Sequence, residues 1–182
     1  MPSLSIIIPT VGRNSLAATL ASIARQEIQA DDDVLLIGAG PQPDAAETFA
    51  ASGLPGRYRQ MPRGNDWGAS ERNWAMPYAY GDFLAFMDDD DVYTPGAFSA
   101  MRTADPAALN VYRMHGRRRV LWREPRLRIG NVSTQMLVVA NRPAILGQWG
   151  HRREGDYDFA ASTASKIGRV TFHETIIARI RP

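Results

Sequence analysis

The chain has 182 residues, 45% of them hydrophobic and 22% charged, which fits one folded domain and argues against disorder. With no cysteine, disulfides, thiolate metal sites and cysteine nucleophiles are excluded, so any metal site must use oxygen or imidazole ligands. The net charge of +2 conceals an asymmetry: residues 1–100 carry 6 arginines against 13 acids, residues 101–182 carry 15 basic residues against 6, and the halves are therefore −7 and +9. Such a split suits one half that handles a metal and another that faces an anion. The longest apolar runs are about five residues, far short of a membrane span, and Met1-Pro2-Ser3-Leu4-Ser5 lacks a basic leader segment, so a cytoplasmic location is expected.

Leu4–Ile8 reads as a β-branched buried strand stopped by Pro9, followed by a helix capped at Asn14 or Ser15 with Leu16, Leu20 and Ile23 on one face. A second strand is expected over Asp33–Ile37, then a Gly/Pro loop, a short helix over Ala45–Ala51 with Asp44 as its cap, and a third strand over Arg57–Met61. A helix near Gly68–Tyr80 is interrupted by Pro77 and leads into the all-apolar strand Phe83–Met87. This alternation predicts an α/β fold with a mostly parallel sheet and right-handed crossovers. Beyond Pro95 the pattern changes to a helix near Gly96–Thr103 and short segments at Asn110–Met114, Arg119–Trp122 and Ser133–Ala140, a smaller mixed or antiparallel part. A last helix around Asp156–Ile167 precedes two strand-like segments, Arg169–Phe172 and Thr175–Ile180. No linker divides the chain, so residues 1–182 are expected to form a single domain.

The run Asp88-Asp89-Asp90-Asp91 follows the Phe83–Met87 strand directly. Four adjacent carboxylates repel one another, and a divalent cation among them relieves that repulsion. A strand buried on both faces belongs to a parallel sheet, whose ligands sit beyond the carboxyl ends of the strands, where this run falls. An EF-hand is excluded because Val92 and Tyr93 take the fifth and sixth positions counted from Asp88. There is no P-loop motif or G-x-S-x-G, and Gly38-Ala39-Gly40 lacks the rest of a dinucleotide fingerprint. A metal–diphosphate site remains.

Three ordered stretches resemble the family 2 glycosyltransferases of GT-A fold: Ser5-Ile6-Ile7-Ile8-Pro9-Thr10-Val11-Gly12-Arg13, Gly68-Ala69-Ser70-Glu71-Arg72-Asn73, and the acidic run in place of Leu-Asp-x-Asp-Asp. The resemblance spans nearly the whole chain and implies a Rossmann-like GT-A domain with helices on both faces of its sheet. It also implies a nucleotide-diphospho-sugar donor, a hydroxyl acceptor and Mn²⁺ or Mg²⁺ as cofactor. By it, residues 1–100 form the donor and metal half, and residues 101–182 the acceptor half. Pro9, Thr10, Arg13, Gly38, Arg72, Asp88 and Asp89 fall at nucleotide-sugar positions, and Asp88 and Asp90 form the metal pair with His173 as a late imidazole ligand. His151 and His115 are lesser candidates for that ligand. If the strand continued, Asp89 would point opposite its neighbours as a solvated residue or nucleoside contact, with Asp91 orienting the site from behind.

Glu154-Gly155-Asp156 resembles the family's Glu-Asp motif, with Asp156 at the position of the base that takes the acceptor's proton in an inverting transfer. Glu154 stands one place earlier than the family's preceding acid. Trp149 is placed to stack on a sugar, and Gly130-Asn131-Val132-Ser133 resembles the acceptor-side loop. The densest basic stretch, Arg113–Arg128, suits an anionic acceptor, a membrane surface or a nucleic-acid backbone. The family usually carries Val-Asp-Asp-Gly-Ser after the second strand; here Ile37-Gly38-Ala39-Gly40-Pro41 lacks that base-reading acid. Two rival readings remain open, a nucleic-acid-binding module built on the arginine patch and a nucleotidyltransferase.

Overall fold

The computed structural model describes residues 1–181, and the site is best located by starting from its central strand. β1 (Leu4–Thr10) has Leu4, Ile6, Ile7 and Ile8 at 1% exposure or less, because neighbours cover it on both faces. α1 (Leu16–Ala24) buries Leu16, Leu20 and Ile23, the one-face spacing the sequence predicts; Ser15 takes the cap position without a side-chain cap bond. β2 (Asp33–Ala39) lies parallel to β1, and after α2 (Pro43–Ala51) the edge strand β3 (Gly56–Met61) lies parallel to β2. Gly56 is fixed by that pairing: a Cβ there would stand 2.1 Å from the Val34 carbonyl oxygen.

α3 (Ala69–Ala75) ends where Pro77 forces a 3₁₀ turn over Met76–Tyr78, and β4 (Phe83–Phe86) follows, parallel to β1 on its other side. β5 (Asp91–Tyr93) is a strand the sequence did not announce, because its first residue belongs to the acidic run. Next come α4 (Ala97–Arg102), β6 (Leu109–His115), the two-residue β7 (Val120–Leu121), a 3₁₀ turn over Thr134–Met136 and β8 (Leu137–Ala140). α5 (Gly155–Ile167) leads into β9 (Val170–Ile180), one continuous strand where two were expected, since its alternating residues lie along β6 and then β5 without a turn between them.

The sheet order is β3-β2-β1-β4-β8-β6-β9-β5, with β7 paired to β6. Parallel pairing holds from β3 to β4; β8 then runs antiparallel to β4 and to β6, β9 parallel to β6, and β5 antiparallel to β9. Although β4 and β5 lie four places apart in that order, the Tyr93 hydroxyl donates to the Phe86 carbonyl at 3.3 Å, so the sheet curls back on itself. The curl brings the start of β5 to the end of β4, and the acidic run bridges the two. Among the described residues no helix is long and apolar enough to cross a membrane.

Candidate active site

The carboxyl ends of β1 and β4 are neighbours, and from them Thr10 and Asp88–Asp90 line one cleft of about 470 Å³. Asp89 is 3% exposed, contrary to the solvated position that strand alternation suggests. Past Phe86 the chain leaves the strand, and β1's end takes Asp89 in: the Thr10 hydroxyl donates to it at 2.7 Å, the Val11 amide at 3.1 Å and Arg13 at 2.8 Å. Arg13 also pairs with Asp90 at 2.9 Å, so one guanidinium spans two of the four carboxylates.

Asp88, Asp90 and Asp91 turn the other way, and each offers an oxygen within 4.8 Å of the others'. Oxygen donors at that spacing, on three acidic side chains, match what a hard divalent cation requires. Burial pushes the Asp88 carboxyl up, Arg72 opposes that, and the charges of Asp90 and Asp89 add to it. Burial, then the charges of Asp88 and Asp90, push Asp91 up to about 7. In both carboxyls burial is the leading cause, and neighbouring like charge adds to it.

Two further side chains hold this group. Gln135, from the turn before β8, is 2% exposed; its amide nitrogen donates to Asp88 at 2.9 Å and to Asp91, while the Ser133 hydroxyl donates to its carbonyl oxygen at 3.0 Å and so orients the amide. Sequence reasoning missed it, since an isolated glutamine between apolar residues carries no local signal. Arg72 is 3% exposed, pairs with Asp88, donates to the Trp67 carbonyl at 2.9 Å and lies 4.7 Å over the Trp149 ring.

That ring is unavailable to a sugar, contrary to the stacking expected of it. Trp149 is 2% exposed and lies parallel to Phe159 at 4.7 Å, with Arg72 near the same ring and Phe86 edge-on at 4.9 Å. Asn73 secures its backbone, donating to the Trp149 carbonyl and accepting from its amide, both at 2.9 Å. The Arg72-Asn73 pair of α3 thus clamps the loop that precedes α5.

Asp156, in the first turn of α5, lines a smaller recess of about 200 Å³ together with Asp88, Arg72, Ser133 and Arg152. Burial pushes its carboxyl up to about 6; the Tyr157 amide, 2.7 Å away, counters, Asp88 adds to the rise and Arg72 opposes it. Gly155 cannot be an acid here, because a Cβ would lie 2.5 Å from the Gly150 carbonyl oxygen. Glu154 accordingly sits outside the helix at its cap position. Asp66, which sequence reasoning passed over, accepts from Ser70 and from His151 at 2.7 Å. Its place before the Gly68 helix start is the cap signal that was available.

Two expected site residues lie elsewhere. His173 sits near the start of β9, seven residues from Ile180, the partner of Asp91; that is roughly 23 Å of strand. There it meets Asn110 at 2.9 Å and stacks on Tyr112 at 4.3 Å, so it takes no part in the acidic group. Asn131 spends its amide on its own loop, donating to the carbonyls of Glu124 and Arg126 and accepting from the Arg123 amide, and it is 2% exposed. Gly38, next to last in β2, lies against Tyr58, where a Cβ would stand 2.4 Å from the phenol oxygen, so no acid can replace it without moving that ring. Within Arg113–Arg128, Arg113 lies over Trp122 at 4.4 Å and Arg128 pairs with Glu124 at 3.1 Å, whereas Arg117, Arg118 and Arg119 are exposed.

The family model described as "Glycosyl transferase family 2" matches residues 5–125, and the chain belongs to that family. Its solved structural neighbours are GT-A glycosyltransferases. TarS from S. aureus superposes with a TM-score of 0.77 at 15% identity, over 99% of this chain and 37% of that one. Residues 1–349 of TarS in complex with UDP-GlcNAc give 0.76 at 15% identity, over 97% and 58%. A mannosyltransferase from Pyrobaculum calidifontis in complex with GDP-Man and Mn²⁺ gives 0.73 at 16% identity, over 100% and 57%. The chain therefore spans less than two thirds of the length of each of these proteins. Comparison with curated proteins found no match.

Proposed function

We propose that this glycosyltransferase family 2 domain moves a sugar from a nucleoside diphosphate donor to a hydroxyl acceptor, with inversion at the transferred carbon. The observation that carries the reading is the pairing of two carboxylate sites across Arg72: the Asp88, Asp90 and Asp91 group, whose Asp88 and Asp90 line the larger cleft, and Asp156 in the adjoining recess.

Asp88, Asp90 and Asp91 would hold Mn²⁺ or Mg²⁺, which when bound neutralises the charge that develops on the departing diphosphate. Thr10 and Arg13 fix Asp89 and Asp90, keeping the loop in one shape while a donor enters. Arg72 links the two sites, since it pairs with Asp88 and also lowers the proton affinity of Asp156. Asp156 accepts the proton of the acceptor hydroxyl as that oxygen attacks. A carboxylate titrating near 6 is ionised at neutral pH yet basic enough for the task. A single base set apart from the diphosphate-binding group suits one direct displacement, hence inversion. The halves divide accordingly, with residues 1–100 on the donor and residues 101–182 on the acceptor, and the exposed Arg117–Arg119 cluster favours an acceptor or surface of negative charge.

The test is release of nucleoside diphosphate from nucleotide sugars in the presence of Mn²⁺, with Asp156→Asn and a chelator as controls. Release of pyrophosphate instead would identify a nucleotidyltransferase, and turnover unaffected by both controls would refute the proposal.

A further inference from the structure

A feature of the larger cleft remains without a role. Glu71, on the first turn of α3, is 1% exposed, and neither of its carboxylate oxygens has a hydrogen-bond partner among the described residues. Its residue lines the same cleft as Pro9, Ala39 and Gly64. A carboxylate taken out of water without a donor is costly to the fold, and such groups persist where a ligand completes them. Asp88, Asp89 and Asp90 line the same cleft. If the diphosphate lies there, as the proposed function has it, the remaining space holds the nucleoside. The end of β2, Gly38-Ala39, offers the cleft no acid, and a Cβ on Gly38 would stand 2.4 Å from the Tyr58 phenol oxygen.

We propose that Glu71 reads the base of the donor nucleotide and that the base it selects is guanine. The choice follows from hydrogen-bond complementarity. An ionised carboxylate only accepts, and its two oxygens take two parallel N–H donors. Guanine presents an adjacent pair, the ring N1–H and the 2-amino group. Uracil has a single ring N–H flanked by two carbonyl oxygens, which face a carboxylate with like partial charge. Adenine and cytosine set one amino group beside a ring nitrogen lone pair. Burial pushes the Glu71 carboxyl up, and the Asp66 charge adds to that; its own amide, Arg72 and the Gly64 amide pull the other way without completing a hydrogen bond. A donor pair arriving with the base supplies what those groups leave unmet.

The experiment is calorimetric titration of the domain, with Mn²⁺ present, by GDP, UDP, ADP, CDP and inorganic pyrophosphate, for the wild type and for Glu71→Gln and Glu71→Ala. GDP should bind at least tenfold more tightly than any other nucleotide. Both substitutions should abolish that preference while pyrophosphate affinity stays within twofold. Without ligand, Glu71→Gln should melt at or above the wild-type temperature, because it removes a buried charge that has no partner. Equal or tighter binding of UDP, ADP or CDP would overturn the assignment. So would a GDP preference that survives Glu71→Gln, or a melting temperature that falls, which would mean that the carboxylate has a structural partner. Pyrophosphate binding with no preference among bases would overturn the role of Glu71 alone, whereas no binding of pyrophosphate or any nucleotide would overturn the donor site with it.

Discussion

A single amide nitrogen of Gln135 donates to Asp88 at 2.9 Å and also to Asp91, so a neutral side chain from the turn before β8 ties together the two carboxylates that flank Asp89 and Asp90. Supporting groups of this kind hold ligands in position, and their loss commonly lowers metal affinity or activity by about 10–100-fold. Gln135→Ala should therefore weaken Mn²⁺-dependent donor turnover by about that factor, with the loss partly recovered at high Mn²⁺. A metal titration of turnover reads the effect, and an unchanged titration curve would show that the amide does not support the acidic group.

Asp156 supplies a pH prediction. Its folded pKa of about 6 lies above the usual 3.8, and the ionised form is the base, so turnover should rise with pH up to about 6 and level off above it. The stability effect has the opposite sense: a raised carboxyl pKa favours the fold most below the unfolded value and loses that contribution as pH climbs through about 6. Asp156→Asn should thus lose turnover by about 100-fold or more while melting no lower than wild type at pH 7. The pH–rate profile and a melting curve, taken together, separate lost chemistry from lost structure.

Arg102 and Asp32 form a buried pair well away from the cleft, at 2% and 1% side-chain exposure, with two guanidinium nitrogens reaching the carboxylate at 2.9 and 2.5 Å. Arg102 also donates to the carbonyls of Pro2 and Glu27, and Asp32 accepts from the Leu4 amide, so the pair fastens α4 to the start of β1. Removing one partner of such a pair strands the other charge, at about 3–5 kcal/mol. Urea denaturation of Arg102→Ala should show a loss of that size, with donor KM unchanged in the folded fraction.

Chelation supplies the fourth expectation. EDTA should abolish turnover, and Mn²⁺ or Mg²⁺ should restore it, because the Asp88, Asp90 and Asp91 carboxylates repel a diphosphate when no cation lies between them. Asp90→Asn should raise the Mn²⁺ concentration required for half-maximal rate. A rate indifferent to EDTA would remove the metal from the reaction.

Much of the parallel half was legible in the sequence because its signals are local. Strands buried on both faces are uniformly apolar, the α1 face repeats at helical spacing, and Pro77 ends a helix wherever it stands. The mixed half was harder to read. Whether Arg169–Ile180 forms one strand or two depends on β6 and β5 lying alongside it, and β5 hid within a run of charges. His173 looked well placed along the chain, but distance along a strand separates it from the acidic group.

The acidic run itself divides between the two sources. Four adjacent aspartates after an apolar strand, with Arg72 and Asp156 at the family's spacing, were enough for the sequence to point to the family that the chain belongs to. Only the tertiary structure decided how the four are grouped: β5 lies back against β4, Asp89 accepts from Thr10 and Arg13, and Asp91 lies with Asp88 and Asp90. Residue order fixes which charges are close along the chain, but long-range packing sets which of them face one another. For the same reason Gln135 and Glu71, whose positions depend on partners far away in sequence, emerged only from the fold.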